Sequence, residues 1–168
     1  ATGTGQARAR IINVSSGAHK AARLNFDNLD SSRGLYNAFN TYAMTKLANI
    51  MFTYELARRL EQSDAPVTVN ALHPGMVNTG FGKNNDGLMG TLSRAALALL
   101  RPLQISPEQG ARTSIYLASS PEVANVSGKY FEKNQPVTSS TASMKRDDWR
   151  RLWEVSEIMT GISSTEVT

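Results

Sequence analysis

The longest helical pattern of the chain begins with Thr41-Tyr42-Ala43-Met44-Thr45-Lys46-Leu47-Ala48-Asn49-Ile50. An apolar stripe at helical spacing extends the pattern to about Leu60 and contains Leu47, Ile50, Met51, Tyr54, Leu56, Ala57 and Leu60. Ser63-Asp64-Ala65-Pro66 carries the residues that end a helix. We therefore predict a helix over residues 41–60.

A strand is predicted on each side of this helix. Arg10–Ser16 is a nearly continuous apolar run that ends in two serines, and Val67–Leu72 is a second apolar run. The order strand, helix, strand predicts two parallel strands joined by a crossover helix. With a short last strand over Gly128–Glu132, the pattern indicates an α/β fold of about three strands with flanking helices.

The rest of the chain supplies further helices and loops. Ser106-Pro107-Glu108-Gln109 is a capping-box start for a helix that runs to about Ala118. An amphipathic helix is predicted over Asp147–Thr160, with an aromatic face that suits the core or a subunit contact. We predict loops over residues 17–40 and 134–143, a single domain over 1–168, and a disordered tail over 163–168. A mobile segment, Gly80–Gly90, and an apolar helix, Thr91–Leu100, form either a substrate lid or a packed connector.

Composition excludes several classes of site. The chain of 168 residues is 40% hydrophobic and 19% charged, which is typical of a globular protein. It has no Cys, so thiol catalysis, disulfides and thiolate metal sites are excluded, and its only two histidines, His19 and His73, are far apart in sequence. We therefore expect no metal. The net charge of +4 comes from dispersed residues, which argues against nucleic acid as a partner.

Tyr42 and Lys46 lie four residues apart, which places both side chains on one face of the predicted helix. A neighbouring ammonium stabilises a phenolate, so such a pair can exchange a proton where a lone tyrosine cannot. A half-buried tyrosine beside a solvated lysine would show the same spacing.

Two strand ends carry residues that could meet a ligand. Ser15 and Ser16 end the first strand, where ligands bind in open α/β sheets, although such a pair also suits a turn or a helix cap. His73-Pro74-Gly75-Met76-Val77-Asn78-Thr79 follows the second strand, and its Pro-Gly turn would let backbone approach a ligand closely.

Three ordered motifs together resemble the short-chain dehydrogenase/reductase family: Asn13–His19, Tyr42–Asn49 and Leu72–Thr79. The stretches Lys46–Ile50, Ser127–Phe131 and Arg151–Glu154 are most similar to its retinol-dehydrogenase-like branch. The resemblance extends from Arg10 to about Ile162 and implies a Rossmann-like, doubly wound parallel sheet.

The resemblance also implies roles for single residues. The catalytic residues would be Ser16, Tyr42 and Lys46, with Tyr42 as the acid/base and Ser16 on the reacting oxygen. The cofactor-binding residues would be Tyr42, Lys46, Pro74, Gly75, Val77 and Thr79. The implied activity is interconversion of an alcohol and a carbonyl on a small or apolar substrate of the retinol, aldehyde or ketone type. The implied cofactor is NADP or NAD, with NADP favoured.

One family feature has no counterpart in residues 1–168, namely the strand, Gly-rich turn and helix that hold the cofactor pyrophosphate. The chain therefore resembles the C-terminal portion of such an enzyme. A non-catalytic fragment or interaction module is the alternative. A serine hydrolase is disfavoured because no Gly-x-Ser-x-Gly motif surrounds either serine.

Partners and location follow as further expectations. The resemblance implies a homo-oligomer that pairs through the 41–60 helix. No apolar run reaches the roughly 18 residues that a membrane span requires. The lack of Cys and of a signal-peptide pattern favours a cytoplasmic location, unless a targeting segment or anchor lies outside this sequence.

Overall fold

A computed structural model describes residues 8–77 and 104–162. The strands Ala9–Val14 (β1), Val67–His73 (β2), Tyr130–Glu132 (β3) and Gln135–Val137 (β4) form one sheet in that order. β1, β2 and β3 are parallel, and β4 is antiparallel to β3. This arrangement confirms the predicted α/β class with its mostly parallel sheet.

Within the described residues three α-helices flank the sheet: Ala38–Gln62 (α1), Pro107–Ser119 (α2) and Arg146–Thr160 (α3). α1 is the crossover helix between the parallel strands β1 and β2, as predicted. Short 3₁₀ helices occur at Gly17–Ala21, Pro121–Val123 and Thr141–Met144.

The two faces of the sheet carry separate apolar clusters, because successive strand residues point to opposite faces. On one face, Ala71 and Tyr130 pack with Ile50 of α1. On the other face, the next residues along each strand, Leu72 and Phe131, pack with Leu117 of α2. Coverage on both faces explains why the strand sequences are apolar runs rather than alternating patterns.

α3 packs on the outer side of α1 and completes a third apolar cluster. Leu152 of α3 is buried with Leu47 and Met51 of α1. Trp149 packs against the same cluster, and Trp153 stacks on Phe52 with ring centroids 5.4 Å apart. The aromatic face of α3 is therefore a contact between helices, which agrees with the core alternative for this face.

The structure corrects several element boundaries. Residues 134–143, predicted as a loop, contain β4 and a 3₁₀ helix. The hairpin to β4 turns at Lys133 and Asn134, which both have positive φ, and two such residues give the tight turn that suits twisted antiparallel strands. Lys is uncommon at such a turn, so the sequence carried no clear hairpin signal. α1 begins at Ala38 rather than Thr41 because the Asn37 side chain caps it, accepting a hydrogen bond from Asn40 N at 2.9 Å.

Candidate active site

The carboxyl ends of β1 and β2 bring Ser15–Ser16 beside His73–Pro74. Val14 pairs with Leu72 in parallel register, and Ser15 N donates to Leu72 O at 2.7 Å. Residues that follow either strand therefore reach the same edge of the sheet, where ligands bind in open α/β folds.

Tyr42 and Lys46 lie in the second and third turns of α1, facing this edge. Both side chains are half-buried, and the Lys46 Nζ lies 5.5 Å from the centroid of the Tyr42 ring. The ammonium also donates to Val14 O at 3.3 Å. Lys46 thus joins the phenol of α1 to the end of β1, so two of the three predicted catalytic residues are in contact.

Two further hydrogen bonds attach α1 to the end of β1. The buried Ser15 hydroxyl donates to Lys46 O at 2.7 Å, and Asn49 Nδ2 donates to Val14 O at 3.1 Å. Asn49 lies one turn beyond Lys46 on the same helical face. It was not among the sequence-predicted site residues, although this spacing from Lys46 was the available signal.

Ser16 is placed by the backbone that follows β1. It caps the 3₁₀ helix, with its Oγ accepting from Ala18 N at 3.2 Å. In this hydrogen bond Oγ is the acceptor. Among the described residues, the hydroxyl hydrogen therefore remains able to donate to a substrate oxygen. Ser16 therefore caps a helix, which was one of the alternatives that the sequence left open. This role does not exclude a contact between its hydroxyl and a substrate.

Both histidines of the chain contact the Ser16–Gly17 backbone, a feature the sequence did not indicate. His19 Nδ1 lies 2.7 Å from Ser16 O, and Gly17 N donates to His73 Nδ1 at 3.1 Å. Burial lowers the pKa of both imidazoles below the ordinary value of 6.5. Both are therefore neutral near pH 7.

The segment after β2 passes close to Ile105, just before α2. Gly75 has φ +92°, and a Cβ there would lie 2.7 Å from Ile105 Cδ1. Val77 forms a parallel bridge with Ile105, whose N donates to Met76 O at 2.9 Å. These contacts hold Pro74–Val77 at the edge of the sheet.

Some predicted features fall outside the described residues. These are Thr79, the segment Gly80–Gly90, the helix Thr91–Leu100 and the tail over residues 163–168. Within residues 8–77 and 104–162 no group of three or more His, Asp or Glu could hold a metal ion. No helix in the same ranges has the length and apolar character needed to cross a bilayer.

The described residues fit the nicotinamide half of a dinucleotide. Lys46 and Tyr42 offer polar donors on one helical face, beside the strand ends where ligands bind in open α/β folds. The described residues contain no Gly-rich strand-turn-helix that would bind a pyrophosphate.

Known proteins show the same sequence pattern. The family model described as short chain dehydrogenase matches residues 4–87. Human retinol dehydrogenase 14 is 44% identical over 157 residues, which is 93% of this chain and 45% of that protein. Human retinol dehydrogenase 13 is 40% identical over 162 residues, or 96% of this chain and 48% of that protein.

The same fold occurs in a crystal structure of an uncharacterised protein from Mycobacterium paratuberculosis. It superimposes with a TM-score of 0.68 at 27% identity, covering 92% of this chain and 51% of that chain. The chain thus spans about half the length of the curated relatives that it matches.

Proposed function

Because this chain belongs to the short-chain dehydrogenase family, in its retinol-dehydrogenase-like branch, we propose that it acts in an NAD(P)-dependent oxidoreductase that interconverts an alcohol and a carbonyl compound. The observation that carries the proposal is the contact of Lys46 with both the Tyr42 ring and the Val14 carbonyl. It supports a phenol with an adjacent ammonium at the ligand-binding edge of the sheet.

In this proposal Tyr42 and Ser16 act on one substrate oxygen, and Lys46 acts on Tyr42 and on the cofactor. A bound nicotinamide supplies or accepts the hydride. Tyr42 takes the hydroxyl proton during alcohol oxidation and returns it during carbonyl reduction. Ser16 donates a hydrogen bond to the same oxygen, and Lys46 stabilises the phenolate form of Tyr42 while it binds the cofactor ribose.

The cofactor and substrate are narrower proposals. Pro74, Gly75 and Val77, together with Thr79, would lie along the nicotinamide and its carboxamide. The names of the relatives support an apolar alcohol such as retinol, and NADP is favoured over NAD by resemblance. A homo-oligomer through the 41–60 helix and a cytoplasmic location stay predictions.

The direct test uses two proteins. One is the 168-residue chain, and the other is a chimera that precedes it with the N-terminal half of human retinol dehydrogenase 14. Each is mixed with NADPH or NADH and retinal or smaller aldehydes, and loss of reduced cofactor is followed by absorbance. We expect turnover by the chimera, and at least a thousandfold loss in its Tyr42→Phe variant, because the acid/base hydroxyl is removed. A Tyr42→Phe chimera that keeps most of its rate would contradict the assignment of Tyr42.

A second candidate function is a non-catalytic interaction module. The observation that favours it is that the described residues contain no Gly-rich strand-turn-helix that would bind a pyrophosphate. Equilibrium binding of NADPH to the 168-residue chain discriminates between the two, since a module without a cofactor site should bind none. Measurable binding that is lost in Lys46→Ala would exclude the module.

A further inference from the structure

The two histidines flank one turn although 54 positions separate them in the sequence. Parallel pairing of β1 with β2 brings Gly17 beside His73, while the 3₁₀ helix brings His19 back over Ser16. The turn they flank presents the Ser16 hydroxyl.

The hydrogen bonds of His19 determine its tautomer. Ser140 N donates to His19 Nε2 at 3.1 Å, so Nε2 carries no proton. Nδ1 must then carry the proton and donate to Ser16 O at 2.7 Å. The ring is fully buried, with its centroid 5.1 Å from that of Tyr130.

The hydrogen bond of His73 requires the opposite tautomer. Gly17 N donates to His73 Nδ1 at 3.1 Å, so this nitrogen carries no proton and Nε2 does. A side chain at residue 17 would lie 3.3 Å from His73 Nε2, which shows how closely the ring approaches the turn.

We propose that His19 and His73 are positioning residues for Ser16. Two neutral imidazoles in opposite tautomers hold the carbonyl of Ser16 and the amide of Gly17, and thereby orient the Ser16 hydroxyl towards the substrate oxygen. The proposal rests on the role of Ser16 in the proposed function.

Protonation of either ring would break this arrangement. A second proton on His19 would face Ser140 N–H, and one on His73 would face Gly17 N–H. Among the described residues, three neighbours influence the pKa of the rings, either directly or through Glu132. Glu132 of β3 favours protonation of both, whereas Lys20 disfavours it, and Tyr130 donates to Glu132 Oε1 at 3.0 Å. His19 also lowers the pKa of His73.

The first test does not depend on turnover. Long-range ¹H–¹⁵N correlation spectra of the 168-residue chain, with labelled histidine, report which ring nitrogen carries hydrogen. We expect one ring protonated at Nδ1 and one at Nε2 near pH 7, with the second signal absent in His73→Asn. Two rings in the same tautomer, or two averaged signals typical of an unfolded chain, would overturn the proposal.

The second test separates positioning from space filling in the chimera described above. His73→Asn keeps an acceptor near the position of Nδ1, whereas His73→Leu removes it at similar volume. We expect His73→Leu to lower kcat about tenfold with little change in KM, and His73→Asn to stay within about threefold of the wild type. Equal loss in both variants would refute the positioning role. Absent turnover in the wild-type chimera would refute the proposed function instead, while the tautomer result stands on its own.

Discussion

The Val14 carbonyl shows how single residues assemble this site. It accepts hydrogen bonds from Lys46 Nζ at 3.3 Å and from Asn49 Nδ2 at 3.1 Å. A carbonyl oxygen has two lone pairs, so it can accept both. Asn49 thus supplies one of the two hydrogen bonds to this carbonyl, and the Lys46 ammonium keeps two further N–H donors.

Replacing Asn49 with Leu should weaken NADPH binding. Val14 O would then rely on Lys46 alone, and the loss of one hydrogen bond of about 1 kcal/mol corresponds to roughly fivefold weaker affinity. Titration of cofactor fluorescence with the chimera and its Asn49→Leu variant measures the change. Asn40→Leu, at an exposed position two turns earlier in α1, is the matched control and should leave the affinity unchanged.

A substitution at Gly75 tests how much the close approach of this residue to Ile105 contributes to stability. Gly75→Ala combines a positive φ with a Cβ placed 2.7 Å from Ile105 Cδ1, the end of a side chain that can rotate, so we expect the free energy of unfolding to fall by about 1–3 kcal/mol. Gly161 also has positive φ, but a Cβ there meets nothing within 4 Å, so Gly161→Ala should cost only about 1 kcal/mol. Urea denaturation of both variants measures the difference, and equal losses would show that the contact with Ile105 is unimportant.

At the scale of elements, the start of α1 matters most for the site, because Tyr42 lies just four residues after the first helical residue, Ala38. The N-terminal end of α1 is also exposed to water, because the apolar residues Leu35, Tyr36 and Phe39 around it are exposed. The Asn37 cap is therefore a principal local constraint on the first turn.

Asn37→Ala should lower the free energy of unfolding by about 1 kcal/mol, because the amide of Asn40 loses its partner. Asn37→Asp keeps the acceptor and adds a charge that suits the helix dipole, so its stability should match the wild type or exceed it. Urea denaturation measures both. A stable Asn37→Ala variant would mean that packing alone determines the first turn.

At the scale of the whole molecule, the buried His19 and the partly buried His73 link stability to pH. Their pKa values in the folded chain lie below 6.5, so the unfolded chain binds more protons as the pH falls. Their contribution to stability is complete above about pH 6.5 and is lost as the pH falls from there towards the folded pKa. The carboxylates of Glu55 and Glu132 also have lowered pKa values despite burial, because arginines in one case and Tyr130 and Lys20 in the other donate hydrogen bonds to them.

Stability should therefore fall as the pH drops below about 6.5, before the carboxylates lose their contribution below their ordinary pKa of 4.5. The fall should be shallower in His73→Asn, which cannot titrate there. Urea denaturation at several pH values measures both slopes. Identical slopes in the two proteins would exclude His73 from the linkage.

Much of this molecule could be read from local patterns. The crossover helix, its two parallel strands and the Ser106 capping box follow from apolar periodicity and cap residues that act within a few positions. The pairing of Tyr42 with Lys46 also follows from local spacing, since one helical turn separates them.

Other features depend on residues that are distant in the sequence. β4 is three residues long and follows a Lys133-Asn134 turn, so neither its length nor its turn gave a hairpin signal. The Asn49 contact with Val14 needs α1 packed on β1, and His73 meets the Gly17 amide only when β1 and β2 pair.

The sequence by itself determined the order of strands and helices and the residue types available for chemistry, because periodicity, caps and motif spacing act over a few residues. Only the tertiary structure decided which hydrogen bonds orient those groups. The carbonyl of Val14, the amide of Gly17 and the Nε2 of His19 acquire their partners, Asn49, His73 and Ser140, through strand pairing and packing across more than 30 positions of chain.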